Sequence, residues 1–399
     1  MILAADPLFD HGVDTEVVLI VIGKTIVVFA LLLVLVLLYI WFLRKVIADM
    51  QNRIGPERAG PFGVLQSLAD GIKLFFKEQS IPDQADSFVF KLAPYLSAIP
   101  AFLAFSIVPI GGEVSIAGHQ TYLQLADPQI GVLFLLAMSG IGLYGVMLAG
   151  WSSGSKYPLL GSVRASAQLI SYEAAFGLAI VGVLLYSQTL STRGIVNMQA
   201  WNSWDSFVTQ WYWAPAIVAF GIFLIAAIAE TNSPPFDLVE AEQELVGGFH
   251  TEYTGIRFGI FFLAEFMNLI TMSAIAVTLF LGGPSGPGLG FLSATGTVNV
   301  WIMPVFWFFL KLVILLYGTV WVRASLPRLR YDQLMDLGWK WLIELAFLWV
   351  MVSAVIIVGR EEHWDRLIVV PAAILGALIV LGFLRLCLPK PGEIMDEVY

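Results

Sequence analysis

Nine long apolar runs decide what this 399-residue chain can be. They fall at 17–43, 92–110, 129–149, 161–187, 212–230, 257–281, 301–322, 341–358 and 367–386. A helix needs about 20 apolar residues to cross the hydrocarbon core of a bilayer. In lipid every backbone N–H and C=O must be paired within the protein, which leaves helices and closed barrels. A barrel would show alternating segments of about 10 residues, and the sequence has none. The expected fold is all-α: a polytopic membrane protein of about nine transmembrane helices, forming one integral-membrane domain over 1–399. Only 13% of its residues are charged, against about 25% in soluble domains. The net charge of −9 argues against nucleic acid, which selects a basic footprint. The single cysteine, Cys387, excludes an internal disulfide and cannot by itself hold a structural zinc or an iron–sulfur cluster.

Charge orients the spans. Nine crossings place the termini on opposite sides and divide the connections into two sets. Sixteen of the 21 Lys and Arg fall in one set and three (Arg193, Arg360, Arg366) in the other, while Lys24 and Lys311 lie inside spans. The positive-inside rule puts the N-terminus outside and the C-terminus in the cytoplasm. The inner connections are the longer ones. Residues 44–91 form a cytoplasmic loop in which Leu65, Leu68, Ile72, Phe75 and Phe76 recur at helical spacing among Asp70, Lys73, Lys77 and Glu78. That stretch is too short to span and reads as an amphipathic helix at the interface.

Ionisable groups at membrane depth cost at least about 2.5–3.5 kcal/mol each and mark proton or ion paths. Glu173 lies mid-span in the fourth run, with Ser162, Ser166 and Gly177 on its helical face. Glu265 lies inside the sixth, with Asn268 one turn on, and Glu230 closes the fifth. These three are candidates for a proton or charge relay. Lys311, mid-span in the seventh run, is open to a structural ion pair or a place on a proton path, and Lys24 reads as snorkelling to the interface. Gly140, Gly142 and Gly145 match G-x-G-x-x-G, but inside an apolar helix with no preceding strand. Helix packing is the expected use of these glycines, not dinucleotide binding.

The fifth inner connection, 230–256, breaks the basic pattern. It carries Glu230, Asp237, Glu240, Glu242, Glu244 and Glu252 and no Lys or Arg. Phe236, Leu238, Leu245, Val246 and Phe249 are interleaved, so the loop can pack back on the helices as an acidic funnel towards Glu230, Glu173 and Glu265. A solvated acidic face is the other reading.

Four blocks carry a family resemblance: Gln51 to Pro56 running into Gln66 to Glu78, Trp151 to Tyr157 followed by Gly161 to Arg164 and Gln168 to Glu173, the acidic loop, and Arg323 to Met335. In these blocks the chain resembles the H-type membrane subunit of proton-translocating NADH–quinone oxidoreductase, respiratory complex I. The resemblance implies a subunit at the membrane end of the quinone chamber, with a chain of carboxylates leading from it. Glu173, Glu230, Glu265, Asp70, Glu240, Glu242 and Glu244 would form that relay. Arg53, Arg58, Phe236 and Phe249 would border the quinone. Lys73, Lys77, Arg323, Arg328 and Arg330 would dock partner subunits or anionic lipid. Quinone would be the substrate, with flavin (FMN) and iron–sulfur clusters only in partner subunits: the quinone-site and iron–sulfur subunits of the peripheral arm, the small membrane subunits and the antiporter-like subunits. No metal would bind here. Many family members have Arg in the segment E-T-N-R-x-P-F-D-L where this chain has Ser233, so a cation expected beside these carboxylates is missing. The span at 367–386 goes beyond the eight helices of many members. A membrane anchor of a related hydrogenase-type complex and a stand-alone ion transporter stay open as alternatives.

Overall fold

A computed structural model describes residues 6–9, 12–200, 210–237, 246–286 and 301–363, with isolated positions at 371, 375, 376, 378 and 382. Its long helices are α1 Thr15–Met50, α3 Ser87–Phe105, α4 Gly131–Ser152, α5 Lys156–Ser187, α7 Ile217–Glu230, α8 Gly255–Phe280, α9 Met303–Ser325 and α10 Tyr331–Glu361. All but α7 are long and apolar enough to cross a membrane. Helix α7, at 14 residues, starts only after Pro215, whose lack of an N–H suits a helix start. Short helices α2 Gln66–Phe76 and α6 Thr192–Met198 complete the set. These eight long helices correspond to the first eight expected spans, and the chain is an all-α, multi-pass membrane protein. The span expected at 367–386 falls almost wholly outside the described residues, as do Glu240, Glu242 and Glu244.

Helix α5 is the central strut, packing against α4, α7 and α10. Its inward face, Ala165, Tyr172, Phe176, Ala179, Ile180 and Val183, is fully buried. From Leu269 to Phe280 every residue of α8 is buried too, as expected of a helix apolar all round. The blurred start of the eighth span at Trp339-Lys340-Trp341 is one continuous helix with a π-helical stretch, Leu337–Leu342. There a Cβ on Gly338 would lie 2.6 Å from Ser171 Oγ, so its bare backbone lets α10 seat on α5.

The two sets of connections form the two ends of the bundle. At one end Ser80 N bonds Thr254 Oγ1 at 3.0 Å, Asp86 N bonds Ser152 O at 3.0 Å and Leu329 N bonds Pro235 O at 3.2 Å, knitting the basic loops and the acidic one together. At the other end lies a feature that the sequence does not announce. Strands β1 Glu113–Ile116 and β2 His119–Tyr122 form an antiparallel hairpin. Its two turn residues, Ala117 and Gly118, both have positive φ, 50° and 84°, the geometry that matches strand twist. Lys24 does not snorkel. Its ammonium bonds Asp6 at 3.1 Å and Thr121 Oγ1 at 2.9 Å, and this anchors the hairpin to α1.

Candidate functional site

Helices α3, α4, α5, α7 and α8 enclose a cavity of about 90 Å³, room for several waters at roughly 10–15 Å³ each. Glu173, Glu230 and Glu265 all line it, with Asn268, Ser97 and Ser139. Three carboxylates from three helices thus share one small space. Glu230 is only 4% exposed. Ser139 of α4 donates a hydrogen bond to its Oε1, while Oε2 is buried with no hydrogen-bond partner among the described residues. Glu173 and Glu230 are close enough to interact electrostatically. A Cβ on Gly140 would sit 3.5 Å from Glu173 Oε1, an ordinary contact that places this carboxylate against α4.

Small residues set the walls. A Cβ on Gly145 would fall 2.2 Å from Ser97 Oγ, and one on Gly150 would fall 2.3 Å from Ser162 Oγ. Gly145 and Gly150 of α4 therefore serve helix packing, and Ser162 belongs to that contact, whereas a Cβ on Gly142 would meet nothing within 4 Å. Gln168 on α5 is 1% exposed, and its amide donates to Ala229 O at 2.9 Å and Phe236 O at 3.0 Å. This holds the end of α7, and Glu230 with it, against α5. On the far side of the acidic loop, a Cβ on Gly161 would lie 2.8 Å from the Cα and carbonyl carbon of Gly248. These are backbone atoms and cannot rotate away. Gly161→Ala should therefore push the Gly248–His250 turn off α5, at a cost of about 1–3 kcal/mol in stability. Thermal unfolding of the purified protein measures this, and an unchanged midpoint would show the turn to be loosely seated.

The cavity includes a residue that sequence reasoning passes over. His250 lines it beside Phe249, its ring edge-on to Phe249 at 5.0 Å and to Phe258 at 5.2 Å. Burial pushes the imidazole down to about 4, so it is neutral near pH 7. In the sequence His250 is one polar residue in an acidic loop, and only packing brings it to the carboxylates.

Other candidates lie elsewhere. Phe236 is buried against Tyr172, ring centroids 5.6 Å apart. Asp70 is not among the cavity-lining residues. It sits on α2, bonded to Arg44 of α1 at 2.8 Å with Lys73 at 3.6 Å. Burial acts to raise its pKa, but the hydrogen bond and charge of Arg44 and the charge of Lys73 outweigh it and hold the carboxyl below its ordinary range. Arg53 and Arg58 are exposed in the turn after α1, and Arg53 Nε bonds Gln51 Oε1 at 2.7 Å. Lys77 and Arg330 are exposed, and Arg323 is half-buried in the last turn of α9. Arg328 stays about half exposed and pairs with buried Asp237 at 3.2 Å. Ser233 is itself buried, so the loop that lacks an arginine at 233 receives a cation from Arg328. Among the described residues no three His, Cys, Asp or Glu side chains are grouped as metal ligands.

A family model described as NADH dehydrogenase matches residues 23–354, a stretch that contains every residue lining the cavity. The chain belongs to the NADH dehydrogenase family. Within it, the chain is 52% identical over 370 residues to a Frankia alni protein named as the H-type subunit of NADH-quinone oxidoreductase, covering 92% of this chain and 79% of that one. A Frankia casuarinae protein of the same name is 50% identical over 390 residues, 98% of this chain and 83% of the relative. One from Streptomyces avermitilis is 47% identical over 366 residues, 91% and 78%.

Proposed function

We propose that this chain is the H-type membrane subunit of an NADH–quinone oxidoreductase, and that its carboxylate cavity couples quinone reduction to proton movement. The observation that carries the reading is the convergence of Glu173, Glu230 and Glu265, from α5, α7 and α8, on one small cavity. Family membership supplies the reaction. In it, electrons reach the quinone from partner subunits that carry the flavin and iron–sulfur clusters.

A quinone that gains two electrons becomes a strong base and takes up protons. Arg53, Arg58, Phe236 and Phe249 border the chamber in this reading, and the exposed apolar face of α2, with Leu68, Ile72, Phe75 and Phe76, meets lipid and the quinone tail. The change of charge at the quinone head shifts protons in the acidic loop. Glu173, Glu230 and Glu265 pass that change sideways between helices, and Asp70 with Glu240, Glu242 and Glu244 extends the relay. Lys73, Lys77, Arg323, Arg328 and Arg330 face partner subunits or anionic headgroups. The basic end of the bundle is cytoplasmic, with the N-terminus outside the cell membrane.

The test is purification in mild detergent through a tag on this chain, followed by assay. Co-purification of flavin and iron–sulfur subunits with inhibitor-sensitive NADH–quinone activity is expected. Glu173→Gln should impair proton-coupled quinone turnover and leave NADH oxidation by ferricyanide intact. A nickel-containing partner assembly, or normal coupled turnover in the variant, would overturn the reading.

A further inference from the structure

We propose that His250 relays protons between the loops at the basic end and the Glu173–Glu230–Glu265 cavity, an inference that rests on the proton-coupling role given above. Among the side chains that line the cavity, Glu173, Glu230, Glu265 and His250 are the ionisable ones. The three carboxylates stand on long helices, whereas His250 stands on the 3₁₀ turn Gly248–His250 that closes the acidic loop. It is therefore the ionisable cavity group that comes from a connection at that end.

Its surroundings suit transfer more than anchorage. A structural histidine fixes its tautomer by a hydrogen bond to a carbonyl or carboxylate. His250 makes no side-chain hydrogen bond to any described residue and is held by the edges and faces of Phe249 and Phe258. A neutral imidazole offers one N–H and one lone pair. With the value pushed down to about 4 by burial, the ring is in that form at neutral pH, though Glu173, Glu230 and Glu265 border the same cavity. A proton arriving from the loop side adds to the free ring nitrogen. The proton on the other nitrogen then leaves to a cavity carboxylate, directly or through water, and exchange of the two tautomers resets the ring. Protons and charge balance in each cycle, and no other reactant is needed.

The position of the ring is built in. Gly248 has φ of +61°, in the left-handed region open to glycine, and the bare Cα of Gly161 on α5 lets that turn approach as closely as it does. Phe249, 8% exposed, plugs into a cluster with Phe261 at 5.2 Å. The imidazole next to it is thereby fixed at the cavity wall.

The experiment compares His250→Phe, His250→Asn and His250→Ala with Glu173→Gln in the whole complex, reconstituted into vesicles. NADH–ferricyanide activity reports assembly, and quinone-coupled proton movement reports the relay. A positioned proton carrier contributes about 10²–10⁴-fold, and a partial bypass through water leaves a loss of about tenfold or more in His250→Phe. Added imidazole should restore His250→Ala but leave Glu173→Gln unrescued, a distinction that a packing role would not produce. If His250→Phe does not assemble, His250→Asn and the imidazole rescue of His250→Ala decide. Wild-type coupling in the His250 variants beside an impaired Glu173→Gln would overturn the relay alone. Wild-type coupling in all of them would overturn the proton-coupling reading as well.

Discussion

Glu230→Gln leaves the protein folded and its complex assembled, yet lowers proton-coupled quinone turnover by about tenfold or more. The amide has the shape of the carboxylate it replaces. Its oxygen still accepts the Ser139 hydroxyl, the bond that Oε1 receives in the native protein. The second carboxylate oxygen, buried without a hydrogen-bond partner among the described residues, becomes an NH₂ group or exchanges places with the oxygen. One poorly satisfied polar atom thus replaces another, and a charge that burial disfavours is removed. The change in stability should stay within about 1 kcal/mol. What the amide cannot do is take up and release a proton. Turnover and the thermal midpoint should therefore separate: the first falls and the second holds.

That separation distinguishes a relay from a hydrogen-bond network that only fastens α7 to α4. In a fastening network the amide would keep turnover normal in whatever fraction is folded. Ser139→Ala gives a useful contrast, because it removes a donor and leaves the carboxylate. It should trim turnover less than Glu230→Gln does. Normal coupled turnover in Glu230→Gln, measured in vesicles against ferricyanide activity, would remove Glu230 from the path.

The carboxylate cluster is legible in the sequence because its members break a rule that most of the spans obey. Glu173 and Glu265 stand out from their apolar runs by charge alone, and Glu230 by its place at the end of one. Of Gly140, Gly142 and Gly145, expected to serve helix packing, only Gly145 stands where a neighbouring helix would meet a Cβ closely. His250 is not legible. It gives no periodic signal, and it reaches the cavity only because a turn of 3₁₀ helix is pressed onto Gly161, 89 positions earlier in the chain. The pairing of Arg328 is hidden likewise. Nothing in a basic loop tells that one of its exposed cations also meets buried Asp237, 91 positions earlier. The β1–β2 hairpin escapes notice because its turn is Ala117-Gly118, without the Asn-Gly or Asp-Gly that signals such a turn in sequence. For His250 and Arg328 long-range approach decides, and no local pattern encodes it.

Lys311→Met should destabilise the protein by about 3 kcal/mol or more while the folded remainder keeps its coupled turnover. Lys311 is 6% exposed. Among the described residues it pairs with no carboxylate and does not line the carboxylate cavity. Its ammonium donates to Leu281 O at 2.6 Å, Gly283 O at 2.9 Å and Ser285 O at 2.6 Å, with the Trp211 ring 4.1 Å away. These carbonyls belong to the chain leaving α8, where a helix end has no partners of its own. Gln199, fully buried, satisfies the neighbouring groups, donating to Thr278 O and Leu279 O and accepting from Gly282 N at 3.1 Å. Together they fix the end of the helix that carries Glu265 and Asn268. Methionine fills the space but strands three carbonyls, each worth about 1–3 kcal/mol when left unpaired in the interior. Lys311→Arg should recover only part of the loss, because a planar guanidinium spreads its donors in a fork and cannot aim three from one nitrogen. The measurement is the thermal midpoint of the purified complex together with turnover per folded complex. A fall in turnover per folded complex at an unchanged midpoint would put Lys311 on the proton path. The loss of midpoint expected here makes it the clamp that holds α8, and with it Glu265, at a fixed height in the membrane.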